Sequence, residues 1–328
     1  MRIVIPILAV IVAAVGTSVA RHQESGLKAR TSDEGDIGTP YAMGSPQHEL
    51  AVTLAHARVT LRYPLADDEV LAETGDRLLV LRLAVANPLK KLQQFGAAGL
   101  RIGWTTEDET GVVEEVPLYL ADGGDPVSID LVPHQKIETD AVLRLPAKGK
   151  IHSVWIQRGP VKVHYPLDEV LPKLVDVFAD KDGQSARDIA EVKWNQVFAM
   201  GAFDWKILKL TSRAGLPQSE DDRDIEDEVT LTADVSVRNA ARRSLPISWN
   251  QLTARLTDTL GNEYRWETTL DNGRGDSVNE DLESGAVSTF RLVFQGPRDA
   301  EPALLTIEDD RTKRSVVVRL RPIPMPKP

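Results

Sequence analysis

The chain has 328 residues, 42% hydrophobic and 27% charged, with a formal charge of −10 and no cysteine. That is ordinary globular composition, long enough for two cores. It excludes disulfides, thiolate metal sites, a cysteine nucleophile and a lipid-bearing cysteine. The acidic balance disfavours non-specific binding to nucleic acid or to anionic surfaces, an argument that only a local basic patch would escape.

In chain order, residues 1–20 read as an export signal. Arg2 is the charged start, Ile3 to Val15 the apolar run, and Ser18-Val19-Ala20 the small residues before polar Arg21-His22-Gln23. The alternative is an uncleaved anchor, because the run is near the lower length limit for spanning a bilayer. Either way the expected location is outside the cytoplasm: periplasmic, cell-surface or secreted. Membrane contact is expected only if the segment stays as an anchor.

Residues 21–47, rich in Gly, Ser, Thr, Asp and Pro, read as a flexible leader. A first β-unit follows over 48–165, with strands expected at 50–63, 77–87, 99–104, 112–118, 127–131, 137–145, 151–157 and 161–165. Over 166–196, Leu167, Val170, Leu171, Leu174, Val175 and Phe178 recur at helical spacing, which predicts a short helical connector. A second β-unit spans 197–321, with strands expected at 203–213, 228–239, 249–256, 263–269, 277–282, 286–295, 302–308 and 313–320. The Pro-rich tail, 322–328, is expected to be extended.

The two units repeat each other. Leu83-Ala84-Val85-Ala86-Asn87 recurs as Val235-Ser236-Val237-Arg238-Asn239, each before a polar or basic loop. Asp108-Glu109-Thr110-Gly111 answers to Asp258-Thr259-Leu260-Gly261, and Leu131 to Leu282. The strands at 141–145 and 290–294 both end near Pro. Repetition, short strands and closely spaced turns predict an all-β chain of two tandem immunoglobulin-like β-sandwiches joined by the connector.

This order of turns resembles the Ig-like domains of unknown function found in exported bacterial proteins, grouped under a telomeric-repeat-binding-factor-like label. In the second unit the matching residues are Asn239, Asp258, Gly261, Leu282, Gly285 and Pro297. The first unit departs from the pattern: Pro133-His134 replaces the Gly turn, and Thr106-Glu107-Asp108-Glu109 is expected to lengthen the Asp turn. The resemblance implies extracellular binding or accessory roles and no shared active site.

Candidate sites follow from the loops. Two Gly/Asp loops at corresponding places, 122–125 and 271–276, offer Asp122, Asp125, Arg274 and Asp276 as binding residues. Arg274-Gly275-Asp276 also spells an integrin-recognition tripeptide, though Gly/Asp loops are ordinary turn chemistry. In the acidic run 220–228, Asp221, Asp222 and Asp224 would suit Ca²⁺, which takes hard oxygen ligands; the alternative is a solvated loop. Asp180-Lys181-Asp182-Gly183 looks like part of an EF-hand, but Phe178 and Ile189 fall at ligand positions and the motif fails.

Of the six Trp, Trp104 and Trp249 are expected to fill cores, and Trp194 and Trp205 to flank the connector. The six His show no metal spacing, and the chain has no nucleophile elbow, phosphate loop or dinucleotide fingerprint. The expectation is therefore a non-catalytic binding or adaptor protein without a cofactor, Ca²⁺ excepted. Its partner would be a protein or cell-envelope component and not nucleic acid. Two rivals stay open. A carbohydrate-binding module predicts coplanar aromatic rings on an exposed face, and a carboxylate-based hydrolase predicts paired acids at the domain junction.

Overall fold

Alternation of apolar side chains makes a strand here because every second residue can be buried between two sheets. The computed structural model of the chain describes residues 34–65, 69–121, 124–146, 149–167, 171, 174, 176–181, 183, 185–214, 228–241, 243–271 and 276–320. They fall into two compact units: Met1–Leu65 with Gly75–Leu174, and Ala66–Thr74 with Val175–Pro328.

The chain begins with β1 (Pro40–Met43), β2 (Leu50–Thr60), β3 (Arg62–Pro64), β4 (Glu69–Leu71), β5 (Asp76–Ala86), β6 (Gln93–Gly96) and β7 (Leu100–Thr106). It continues with β8 (Thr110–Val113), β9 (Leu118–Leu120), β10 (Ser128–Leu131), β11 (Lys136–Pro146), β12 (Ile151–Arg158) and β13 (Val161–Pro166). All but β4 belong to the first unit. One sheet has the order β1-β2-β5-β11-β9, the other β13-β12-β7-β8, and β10 pairs with β6 in a separate ribbon. Leu79, Leu81, Leu83 and Val85 of β5 share one buried core with Ile102, Trp104, Val154 and Ile156 of the other sheet. This is a β-sandwich.

The second unit adds β14 (Ile189–Val192), β15 (Val197–Met200), β16 (Phe203–Ala214), β17 (Glu228–Asn239), β18 (Leu245–Ser248) and β19 (Leu252–Asp258). After these come β20 (Glu263–Asp271), β21 (Asn279–Leu282), β22 (Val287–Pro297), β23 (Pro302–Asp309) and β24 (Ser315–Arg319). The strand order β14-β24-β23-β19-β20-β22-β17-β16-β15 is continuous, because β20 changes sheet along its length. Its Glu263 and Tyr264 pair with β19, and its residues from Arg265 to Asp271 pair with β22, across a bulge at Trp266/Thr268. In the first unit the same run is interrupted between β8 and β9, where Glu115 takes φ 53° and Val116 is buried.

Two expectations are corrected. Among the described residues of 166–196 there is no helix; the stretch holds turns, a bridge between Ala179 and Ala186, and β14, parallel to β24. The helical spacing misleads because the apolar residues do not serve one face. Leu167 and Leu171 pack on the first unit's core, whereas Phe178 lies under the Arg314 guanidinium, 5.1 Å from its ring centre, in the second. Residues 40–43, expected within a flexible leader, form β1 on β2, because Tyr41 and Met43 alternate into the core. No helix among the described residues is long and apolar enough to cross a membrane.

Candidate functional site

The repeated Asn builds the same loop-bearing end in both units. Asn87, fully buried, donates from Nδ2 to the carbonyl oxygens of Lys91 (2.8 Å) and Leu131 (2.9 Å), and its Oδ1 accepts from Leu89 N (2.9 Å). Asn239 repeats this, donating to Arg243 O and Leu282 O (both 2.7 Å) and accepting from Ala241 N (2.8 Å). One side chain thereby ties the loop after the central strand to the turn before β11 or β22, satisfying carbonyls that would otherwise be buried without partners. The following turn matches as well. His134 N donates to Asn87 O (2.9 Å), and Gly285 N to Asn239 O (3.0 Å). His134 sits at φ 64° and Gly285 at φ 74°, so the histidine adopts the left-handed conformation that glycine takes freely.

The second turn motif differs from expectation. The Asp turn is not lengthened in the first unit: β7 ends at Thr106, and only three residues precede β8, against four between β19 and β20. Thr106 stands where Asp258 stands. Its hydroxyl bonds Glu109 N (3.1 Å) and O (3.2 Å), whereas the Asp258 carboxylate accepts from Leu260 N, Asn262 N and Asn262 Nδ2, all at 2.8 Å. These bonds, led by the Asn262 side chain, hold the Asp258 carboxyl below the usual carboxylate range despite an opposing desolvation.

The same end of the two units differs in what it exposes. In the first, Leu92 (58% exposed) and Val132 (51%) stand directly beyond the last ribbon pair, Gln93 with Leu131. Lys90, Lys91, Pro133 and Lys136 around them are exposed. The corresponding residues of the second unit are Ser244 and Glu283, with Ala241 for Leu89 and Ser284 for Pro133. Arg158 braces this end of the first unit, donating to the carbonyls of Met43 (3.2 Å), His48 and Gln94 (3.4 Å). Burial lowers its pKa. Nearby is an open groove of about 460 Å³, lined by Leu100, Arg101, Glu114, Glu115 and Gln157, in which Arg101 and Glu114 already pair.

Charge is divided unequally. The first unit carries eighteen acidic and eighteen basic side chains and the second thirty-one and twenty-one, so the net −10 belongs to the second alone.

The predicted site residues are placed as follows. Asp125 and Asp276 are both exposed and hold matching positions, each just before a bridge that closes its loop, Tyr119 with Pro126 and Leu270 with Ser277. In the first unit Ala121 N donates to Glu138 O (3.1 Å), which puts that loop at the end marked by Asn87. Asp122, Arg274 and the calcium candidates Asp221, Asp222 and Asp224 lie outside the described residues. Among the described residues no three His, Asp or Glu side chains are grouped to hold a metal. The EF-like loop is closed by its own Asp180, whose side chain accepts from Ser185 Oγ and whose carbonyl accepts from Gly183 N.

The aromatic rings are mostly inside. Trp104 is in the first core, and Trp205 meets Phe290 edge-on at 5.8 Å in the second unit. Trp155 lies on the outer face of its sheet but is only 9% exposed. It rests on Gly103, where a Cβ would come within 2.1 Å of the ring, and is covered by Lys162 Nζ at 3.9 Å. Trp194 donates to Arg319 O (3.1 Å) within the second unit; the Trp249 side chain is outside the described set. The apolar-basic tip at 89–92 and 132–136 was missed in the sequence. Its signal was the difference between Leu-Lys-Lys-Leu and Ala-Arg-Arg-Ser after the two matched asparagines.

No protein-family model matches the chain, and no curated protein matches it. Among solved structures, an uncharacterized β-sandwich protein from Clostridium difficile 630 is similar at 15% identity. The match covers 40% of this chain and 93% of that one, with TM-score 0.32. A conserved hypothetical protein from Bacillus anthracis is similar at 14% identity over 36% of this chain and 88% of that one, with TM-score 0.25. Likeness at these levels adds nothing to what the strand pairing itself shows.

Proposed function

We propose that the chain is an exported, non-catalytic binding or adaptor protein of the cell envelope or extracellular space, and that the loop-bearing end of its first sandwich is the recognition surface. One observation carries the reading. The two units brace this end with the same hydrogen bonds, yet the first places two exposed aliphatic side chains directly beyond its ribbon pair, Leu92 and Val132, where the second has Ser244 and Glu283 and exposes a single aliphatic residue, Val287, at the position of Lys136. The fold does not require them, since Ser244 and Glu283 occupy the same places in the second unit. An exposed apolar pair on a rigid scaffold fits binding better than stability. The resemblance to Ig-like domains of exported proteins supports the same reading, as does the apolar segment at 3–15, read as signal or anchor.

The test is a matched pair of substitutions in the full chain, expressed in a bacterial host and scored by retention on washed cell envelopes. Leu92→Asp should lower retention by about tenfold, the effect of burying a charge in an apolar contact. Ser244→Asp, its half-buried counterpart, should change retention by less than about twofold when both variants are compared at the parent's folded fraction, read by thermal unfolding. Equal retention of both variants and the parent would remove the first unit's tip as the recognition surface.

A further inference from the structure

We propose that this tip docks on an anionic bilayer surface, with Leu92 and Val132 entering the headgroup layer and Lys90, Lys91 and Lys136 facing the lipid phosphates. The proposal rests on the reading above and names the chemistry of its partner.

Three features point to lipid. The first is the pattern of charge. Lys90, Lys91 and Lys136 are exposed, and none is ion-paired among the described residues. No acid occurs at 87–93 or 132–137, and an exposed acid at the same end, Asp125, belongs to the separate 122–125 loop. An aliphatic pair within a lysine collar matches the layering of a bilayer interface, where acyl carbon lies just below phosphate.

The second feature is size. A stable protein–protein contact buries about 800 Å² per partner. Only two large aliphatic side chains, Leu92 and Val132, are exposed here, which suits shallow insertion better than a broad protein interface.

The third is the distribution of charge over the molecule. A net −10 opposes approach to an anionic surface, but all of it belongs to the second unit, and the first unit, which carries the three lysines, has no net charge. Each lysine near an anionic leaflet multiplies the partition constant by roughly fivefold. The second unit lacks the aliphatic pair at the same place, with Glu283 for Val132 and Ser244 for Leu92, while it keeps a basic pair at 242 and 243.

The absence of cysteine allows a direct test in the full chain. Val132→Cys and, separately, Glu283→Cys would be labelled with a polarity-sensitive fluorophore and mixed with vesicles of phosphatidylcholine alone or with about 30% phosphatidylglycerol. The label at 132 should shift to the blue and brighten with the anionic vesicles only, while the label at 283 stays in water. Adding Lys90→Glu and Lys91→Glu should weaken the response at 132 at least about tenfold. Anything the N-terminal segment does is common to both labelled chains and cancels. A silent label at 132, an equal response at 283, or an equal response to neutral vesicles overturns the proposal. If the label is silent while Leu92→Asp still releases the chain from envelopes, lipid is the wrong partner and the recognition surface stands. If neither responds, both readings fall.

Discussion

In the first unit Arg82 of β5 faces Asp140 of β11; at the same pairing position in the second, Asp234 of β17 faces Arg291 of β22. The charges have changed strands while the pair has kept its place. Both units also carry a bulge in the neighbouring strand at this level, between Leu54 and His56 in β2 and between Ile207 and Lys209 in β16. Around this common device the surroundings diverge. Asp140 is fully buried, receives Arg82 Nε and Nη2 at 2.9 and 3.0 Å, and accepts from Tyr63 OH at 2.9 Å. Asp234 keeps a little exposure and meets Lys209, itself 64% exposed, at 3.2 Å. Both units therefore set opposite charges across the two central strands at this position, with the signs exchanged. That is how two copies drift far apart in sequence while their pairing stays fixed.

The largest expected effects test that difference. Asp140→Ala leaves the Arg82 guanidinium without its carboxylate in a mostly buried setting, and should cost about 2–4 kcal/mol in urea denaturation. Asp234→Ala, beside a solvated lysine, should cost about 1 kcal/mol. Equal losses would mean that burial does not separate the two pairs. The asparagine braces predict the opposite result, equality. Asn87→Ala and Asn239→Ala each remove three hydrogen bonds of the same kind and strand two carbonyls, so each should cost about 2–3 kcal/mol. A clear inequality between them would break the claim that the two ends are built alike.

The repeat itself was legible because its signals are local. The alternation at 77–87 and 228–239 places strands wherever the fold sits, and an Asn ending each strand marks the same turn twice. What the sequence hid was geometry that depends on distant partners. β1 and β15 alternate over only four residues each, too brief a pattern to read apart from the edges that β2 and β16 offer them. Leu167 and Phe178 share a helical spacing but are drawn into different cores, so periodicity gave a helix that packing does not form. The substitution of His134 for Gly285 looked like a departure from the turn pattern. A non-glycine residue can hold φ near 60° when hydrogen bonds on both sides fix the turn, and no one-dimensional reading supplies those bonds.

That histidine gives a smaller test of the same comparison. Gly285→Ala should lose about 1 kcal/mol, the cost of a Cβ in the left-handed region. His134→Gly should relieve strain while adding freedom to the unfolded chain, for a net gain below about 1 kcal/mol. Thermal unfolding of both variants reads the two signs. A loss in His134→Gly would show that the imidazole contributes something in the first unit that glycine does not contribute in the second.

The smallest expected effect is the most specific to one unit. Asp258 titrates and its counterpart Thr106 does not. Because hydrogen bonds lower the folded-state pKa of Asp258, its carboxylate contributes stability that is fully present above the ordinary aspartate value near 4. That contribution is lost as pH falls through the lowered folded value. The stability difference between the parent and Asp258→Asn should therefore be constant from about pH 7 to pH 5 and shrink below about pH 4. Thr106→Val, which removes a hydroxyl of the same role, should cost the first unit an amount that does not change over that range. A pH-independent difference at Asp258 would mean that its neutral form is held as well as its charged form. The two turns would then be chemically equivalent, and the replacement of one by the other would have no electrostatic consequence.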